Sequence, residues 1–501
     1  MAVSVNSGTT RQPVRRRDTL VGRNGRPRLV AALAVLSAVG TTAVVLAGSG
    51  WGGSPSWFGS DTPLGVSRVA PRTSHLVSLG GLALVVAGWL GTGLLLRFGA
   101  TARQVLAVAT AAALPLLVGP PLFSSDALTY VAIGEVLQGG GDPYRDGWGV
   151  TGRTDYVGRI PQFWRDTPSP YSPLSLRALQ LVARATGGDL DRGVLILRVL
   201  AVVAVGATAV LLARAARRAA VPRAPAMWLA VANPVVLFGG VSGAHLDVLL
   251  APLLLGALMS LAARRPVVAG LLLGLAAQVK ITALVAVAVV LAWAVLRHRR
   301  GPRAREGVAA AAVAAAVFGG LGVVCRLGWG WASTLGVPGT ANDSQTPIDA
   351  VSDLAFRAGL VHHSGSVSFS GASRKVELVA LVLAALGCLA VVLVRQLPRT
   401  EAAGWALVVV SLLSGAFWFW YVLPALALVA ASPPRRGEVW RRVGLALVGL
   451  AGLVGLRPGG APARSLQGVM GDVTFLAAFA VAVAVVVVGF VRGRREDRAA
   501  A

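Results

Sequence analysis

The sequence predicts an all-α polytopic membrane protein, on three observations. Of the 501 residues, 55% are hydrophobic and only 14% charged, whereas soluble domains run to about 25% charged. Apolar runs recur at the length that a helix needs to cross ~30 Å of hydrocarbon at ~1.5 Å per residue. The runs are continuous Ala, Val, Leu and Gly, not the ~10-residue alternating segments of a membrane barrel, and a helix satisfies its backbone groups within one segment.

In chain order, about fourteen spans are expected: 29–47, 76–96, 104–122, 190–213, 225–239, 246–262, 266–279, 281–296, 307–323, 376–394, 402–418, 420–431, 443–456 and 473–491. The pair around Lys280 and the pair around Trp418 to Tyr421 are short and read as helical hairpins. Residues 1–28 are polar and Arg-rich. Arg15-Arg16-Arg17 resembles a twin-arginine export signal, but the following apolar run is long and lacks a clear cleavage site. A retained first span with a cytoplasmic basic tail is therefore expected. Residues 29–491 form the transmembrane unit, and 492–501 a second cytoplasmic tail.

Charge sets the expected sidedness. With the N-terminus inside, the segments 1–28, 97–103, 213–225, 263–266, 297–306, 395–401, 433–442 and 492–501 hold 30 of the 47 basic residues and 6 of the 21 acidic ones. That is a strong positive-inside bias. It accounts for the net charge of +26 without nucleic acid, and leaves attraction to anionic membrane lipid as the residual role. Two cysteines, Cys325 and Cys388, far apart and in or beside apolar runs, indicate neither a disulfide framework nor a zinc site.

The same bias places four segments outside: 48–75, 123–189, 324–375 and 457–472. Segment 123–189 is the richest in charge and aromatics and is the expected catalytic loop. Leu174 to Ala185 has the pattern of a helix lying on the membrane surface. Segment 324–375, with Asn342, Asp343, Asp349, Asp353, His362 and His363, carries no motif and reads as a second external loop.

Asp126 is the leading candidate for chemistry: a carboxylate just beyond a greasy run, with Tyr130 on the same helical face. The competing reading is a helix cap, for which Ser124 and Ser125 also qualify. Glu135, nine residues on, falls on the opposite face. The turn Gly139-Gly140-Gly141-Asp142-Pro143-Tyr144 either closes a plain loop or brings Asp142 or Tyr144 back over the site. Ser169-Pro170-Tyr171-Ser172-Pro173 is a rigid entry to the surface helix that can position Tyr171. His245 and Asp247 share a tight turn; with no third ligand evident, a metal site is not assigned. Arg198, inside a span, and Lys280, at a hairpin tip, are cations at costly depth. Such cations mark a substrate path or else snorkel to the interface. Trp418, Trp420 and Tyr421 fit an interfacial belt, or stacking on a sugar.

Taken in order, these motifs resemble the actinobacterial polyprenol-phosphate-mannose-dependent α-1,6-mannosyltransferases of the GT-C superfamily. The matching positions are Asp126 and Tyr130, Asp142-Pro143-Tyr144, Tyr171-Ser172-Pro173, Asn233-Pro234, His245 with Asp247, and Lys280 with Ala283. The chain departs where Leu246 replaces the family's Asn and where Ser172 replaces a Gly.

The resemblance implies a GT-C-like bundle with surface helices on an extracytoplasmic loop. It further implies transfer of mannose from a polyprenyl-phosphate donor to a mannan or lipoglycan acceptor outside the plasma membrane. Inversion at the sugar, with Asp126 as general base, follows from the same resemblance. Lys280 or Arg198 would meet the leaving phosphate, while Tyr130, Tyr171, His245, Asp247, Trp420 and Tyr421 would bind substrate. No cofactor is called for, and a divalent cation is left open. Two alternatives stand: a transferase for another polyprenyl-phosphate sugar such as arabinofuranose, and a lipid-linked-sugar flippase.

Overall fold

The computed structural model describes residues 25–47, 71–218, 221–298, 301–337, 398–413, 417–433, 438–454 and 466–498, with a few positions between 346 and 358. The described chain is all-helical. Five helices are long and apolar enough to cross a membrane, or six if a bent pair counts as one. Shorter apolar helices make up several of the other expected spans. The expected span 376–394, residues 1–24 and most of 338–375 lie outside the described residues.

The N-terminal helices are α1 (Gly25–Ala47), α2 (Pro71–Leu96) and α3 (Ala102–Val118). They pack together through α1. Thr101 and Gln104 form a reciprocal capping box that starts α3. The expected surface helices follow as α4 (Asp126–Gln138) and α5 (Pro173–Thr186). Helix α5 is amphipathic: Leu176, Leu179 and Val182 are buried while Leu181 faces out. The two helices press together where Gly134 has no side chain. A Cβ there would lie 2.6 Å from the Leu179 carbonyl carbon. Between them, Asp142 builds the turn. Its carboxylate accepts from the Tyr144 amide at 3.0 Å, while its own amide donates to Asp146 at 2.8 Å.

Helix α6 (Leu190–Arg218) is the long span carrying Arg198. The expected span 225–239 is not one helix. It divides into α7 (Arg223–Ala230), a break at Asn233-Pro234, and a π-helical turn over Val236–Ser242. Pro234 lacks an amide N–H and forbids continuation. Asn233 accepts the Val235 amide at 2.8 Å and takes up the freed donor. Helix α7 is locked to α2 by Trp89 and Trp228. Their rings stack at 4.4 Å, and each indole N–H donates to the other residue's carbonyl.

Helices α8 (Asp247–Ala262), α9 (Pro266–Val279), α10 (Ala283–His298) and α11 (Pro302–Val324) run back and forth as neighbours. The π turn and α8 meet at a bend of 105°. Four C-terminal helices complete the described chain: α12 (Arg399–Leu413), α13 (Leu423–Ala430), α14 (Glu438–Val454) and α15 (Leu466–Arg498). Helix α13 packs on α8 and brings the preceding 3-10 turn, Phe419–Val422, to the same end as the bend. The expected tail from residue 492 is helical through Arg498.

Candidate active site

Four chain segments converge at one end of the bundle: the start of α4, the bend before α8, the end of α9, and the 419–422 turn. Asp126 is the first residue of α4 and Asp247 the first of α8, where the positive end of a helix dipole favours a carboxylate. Lys280 follows the last residue of α9, where the dipole favours a cation. Two non-glycine residues take left-handed backbone conformations beside these positions, Phe123 at φ 63° and Ala244 at φ 46°. Such residues cost of order 1–3 kcal/mol and cluster at functional sites.

The two carboxylates have different partners. Asp247 binds the Lys280 ammonium with both oxygens, at 2.9 and 2.7 Å. Their side chains are only 4% and 13% exposed, and the ammonium also lies 3.8 Å from the Tyr421 ring centroid. Asp126 is 22% exposed and has no Arg or Lys partner among the described residues; its neighbour is His245, whose Nδ1 lies 3.3 Å from Oδ2. His245 is fully buried and stacked on Trp420 at 3.7 Å and 10°. Neither ring nitrogen makes a hydrogen bond of regular geometry. Trp418 stacks behind Trp420 at 5.0 Å.

Two tyrosines form the wall beside the carboxylates. The Tyr171 hydroxyl donates to the Tyr130 hydroxyl at 3.3 Å, with the rings edge to face at 5.4 Å. Burial pushes both phenols well above their ordinary pKa, and the Asp126 and Asp247 carboxylates push the same way. Both therefore remain O–H donors at neutral pH.

Eight of the eleven residues named from sequence thus meet: Asp126, Tyr130, Tyr171, His245, Asp247, Lys280, Trp420 and Tyr421. Three do not. Asp142 is an exposed turn-former. Tyr144 is buried, and its hydroxyl donates to the Tyr171 carbonyl at 3.1 Å, so it holds the wall from behind. Arg198 is spent on backbone. Nε and Nη2 reach the Ser242 carbonyl at 3.1 and 3.0 Å, and Nη1 reaches Leu117 and Gly119 at 3.1 and 2.6 Å. It braces the π turn against the end of α3 and has no fork left for a phosphate. Glu135 faces away as expected, toward Arg153 at 3.9 Å.

Sequence reasoning gave no role to Gln278. Its side chain joins α5 to α11, accepting the Leu174 amide at 3.2 Å and donating to the Phe318 carbonyl at 2.6 Å. An amide closing an otherwise apolar run was the available signal. Among the described residues no group of three His, Cys, Asp or Glu side chains could hold a metal ion.

Residues 34–297 match the family model described as "Alpha-(1->6)-mannopyranosyltransferase, N-terminal domain". The chain belongs to this family. It is 28% identical over 382 residues to a "Probable alpha-(1->6)-mannopyranosyltransferase" of Mycolicibacterium smegmatis, covering 68% of this chain and 67% of that one. It is 29% identical to an alpha-(1->6)-mannopyranosyltransferase of Mycobacterium tuberculosis, covering 65% and 64% of the two chains. It is 28% identical to alpha-(1->6)-mannopyranosyltransferase A of the same organism, covering 73% and 72%. No solved structure matches the chain. Family membership makes the protein a membrane glycosyltransferase, with a sugar donor and a glycan acceptor as its substrates.

Proposed function

We propose that the protein transfers an α-1,6-linked mannosyl residue from a polyprenyl-phosphate donor to a mannan or lipoglycan acceptor, with inversion, on the external face of the membrane. One observation carries the site assignment. Of two carboxylates at one cluster, Asp247 is neutralised by Lys280 while Asp126 keeps solvent access and, among the described residues, no Arg or Lys partner. A pair of carboxylates in unlike environments is how acid–base roles are divided. Asp126 is therefore the general base that takes the acceptor hydroxyl proton as that oxygen attacks the anomeric carbon.

The remaining parts fit the same reaction. His245 Nδ1 faces Asp126, and its Nε2 makes no hydrogen bond, leaving that nitrogen for a sugar hydroxyl to pair with. The Tyr130–Tyr171 pair offers hydroxyls to the sugar, and the Trp420 stack holds the imidazole plane. The leaving lipid phosphate develops negative charge, which the Lys280 ammonium, held by Asp247, meets. The surface helices and the positive-inside bias support the external placement. A bent helix pair at a polar site is also found in transporters. Family membership favours the enzyme.

The test is Asp126→Asn in membranes given radiolabelled polyprenyl-phosphate mannose and an oligomannoside. Transfer should fall about 10²- to 10⁴-fold, the usual worth of a general base, with unchanged protein level. Wild-type transfer by this variant would remove Asp126 from the reaction.

A further inference from the structure

A second polar site lies at the opposite end of the bundle, and no step of the proposed reaction uses it. A cavity of about 140 Å³ is lined by Arg264, Arg303, Arg399, Glu306, Trp293 and Leu261, among others. Its size matches cavities that admit a group as large as benzene. Glu306 is the one acidic residue of the lining, and Arg264 takes it at 2.8 Å. Arg303 and Arg399 thus bring positive charge that no further carboxylate of the lining offsets. The Arg399 guanidinium lies 5.1 Å from the Trp293 ring centroid, which fixes its plane by cation–π contact.

The surrounding helices reinforce that charge. Arg264 precedes α9, Arg303 lies in the first turn of α11, and Arg399 opens α12. Three helix N-termini with their positive dipole ends therefore gather at one place. Leu261, near the end of α8, is fourteen residues beyond Asp247, about 21 Å along a helix. This pocket and the Asp126 cluster accordingly sit at opposite ends of the same helices.

From the cavity, its arginines and this placement, we propose a phosphoryl-anion site, filled by the headgroup of an anionic phospholipid or by free phosphate. Guanidinium forks match phosphate oxygens in pairs, and the Leu261 and Trp293 side of the pocket suits the glycerol and acyl region of a lipid. The site falls in the cytoplasmic segments of the positive-inside assignment, the leaflet where anionic headgroups attract Lys and Arg. Occupancy would clamp the starts of α9, α11 and α12 together.

The test uses the full-length protein. Native mass spectrometry from phosphatidylglycerol and phosphatidylcholine nanodiscs measures lipid retention, and titration of the detergent-solubilised protein with inorganic phosphate measures the soluble ion. Wild type should retain phosphatidylglycerol over phosphatidylcholine, or bind phosphate if the free ion is the occupant. Arg303→Gln, at an exposed position, and Arg399→Gln should each weaken that binding roughly five-fold, and the double variant roughly thirty-fold. Arg97→Gln, at an exposed basic position outside the pocket, should change nothing. Absence of both preferences in wild type would overturn the proposal, as would equal weakening by Arg97→Gln.

Discussion

Replacing Asp247 by Asn leaves the Lys280 ammonium buried with half its bonding lost, and the magnitude follows from the geometry. The pair meets at 2.7 and 2.9 Å. At an effective dielectric of about 20, two unit charges 2.8 Å apart attract by roughly 6 kcal/mol. Desolvation offsets much of that, yet removing one partner of a buried pair costs about 3–5 kcal/mol because the other charge stays behind. Asp247→Asn should therefore lower the thermal unfolding midpoint of the detergent-solubilised protein well below that of Asp126→Asn, whose carboxylate has no such partner. The double variant Asp247→Leu/Lys280→Met removes both charges and should recover most of the loss in stability without recovering transfer. Fluorescence-detected thermal unfolding of wild type, both single variants and the double variant settles the point. Equal midpoints for Asp247→Asn and Asp126→Asn would refute the division of roles between the two carboxylates.

Trp420→Ala removes the ring that His245 stacks on, so kcat should fall more than protein yield does; a pure yield effect would mark Trp420 as core only. Gly134→Ala drives a methyl into the Leu179 backbone and should cost about 1–3 kcal/mol by overpacking, read as a lower midpoint; an unchanged midpoint would show that α4 and α5 separate easily. The raised phenols of Tyr130 and Tyr171 give a pH signature. Each is held protonated in the folded state, so its contribution is complete below the ordinary value of about 10 and is lost as pH rises beyond it. Stability should fall as pH rises above about 10, and Tyr130→Phe/Tyr171→Phe should flatten that fall; an identical profile would deny the burial argument.

The helical class and the placement of Asp126, His245 and Lys280 on one side were both readable from sequence, whereas their meeting in one cluster was not. Scarce carboxylates and cations in a greasy chain have few places to go, and charge bias put Asp126, His245 and Lys280 at one end. What could not be read was which charges neutralise each other. Lys280 was expected to meet the donor phosphate or to snorkel, but α8 and α9 are neighbours, and Asp247 reaches it across the hairpin. Arg198 was misread for a related reason. The π turn after Pro234 leaves carbonyls turned inward, and hydropathy counts side chains, so it cannot see a carbonyl that needs a donor. The span 225–239 failed on the same proline, whose apolar ring scores as membrane while its missing N–H ends the helix.

The Asp247–Lys280 bond also bears on how the chain enters the bilayer. The partners stand 33 residues apart, the length of one hairpin made of α8 and α9. A carboxylate at the head of α8 is costly in hydrocarbon while alone. Once α9 has been synthesised, Lys280 lies alongside Asp247, and the open end of the hairpin carries no net charge. The two helices can then enter the membrane with this pair already neutralised, and Asp247 and Lys280 are joined before the C-terminal third of the protein has left the ribosome.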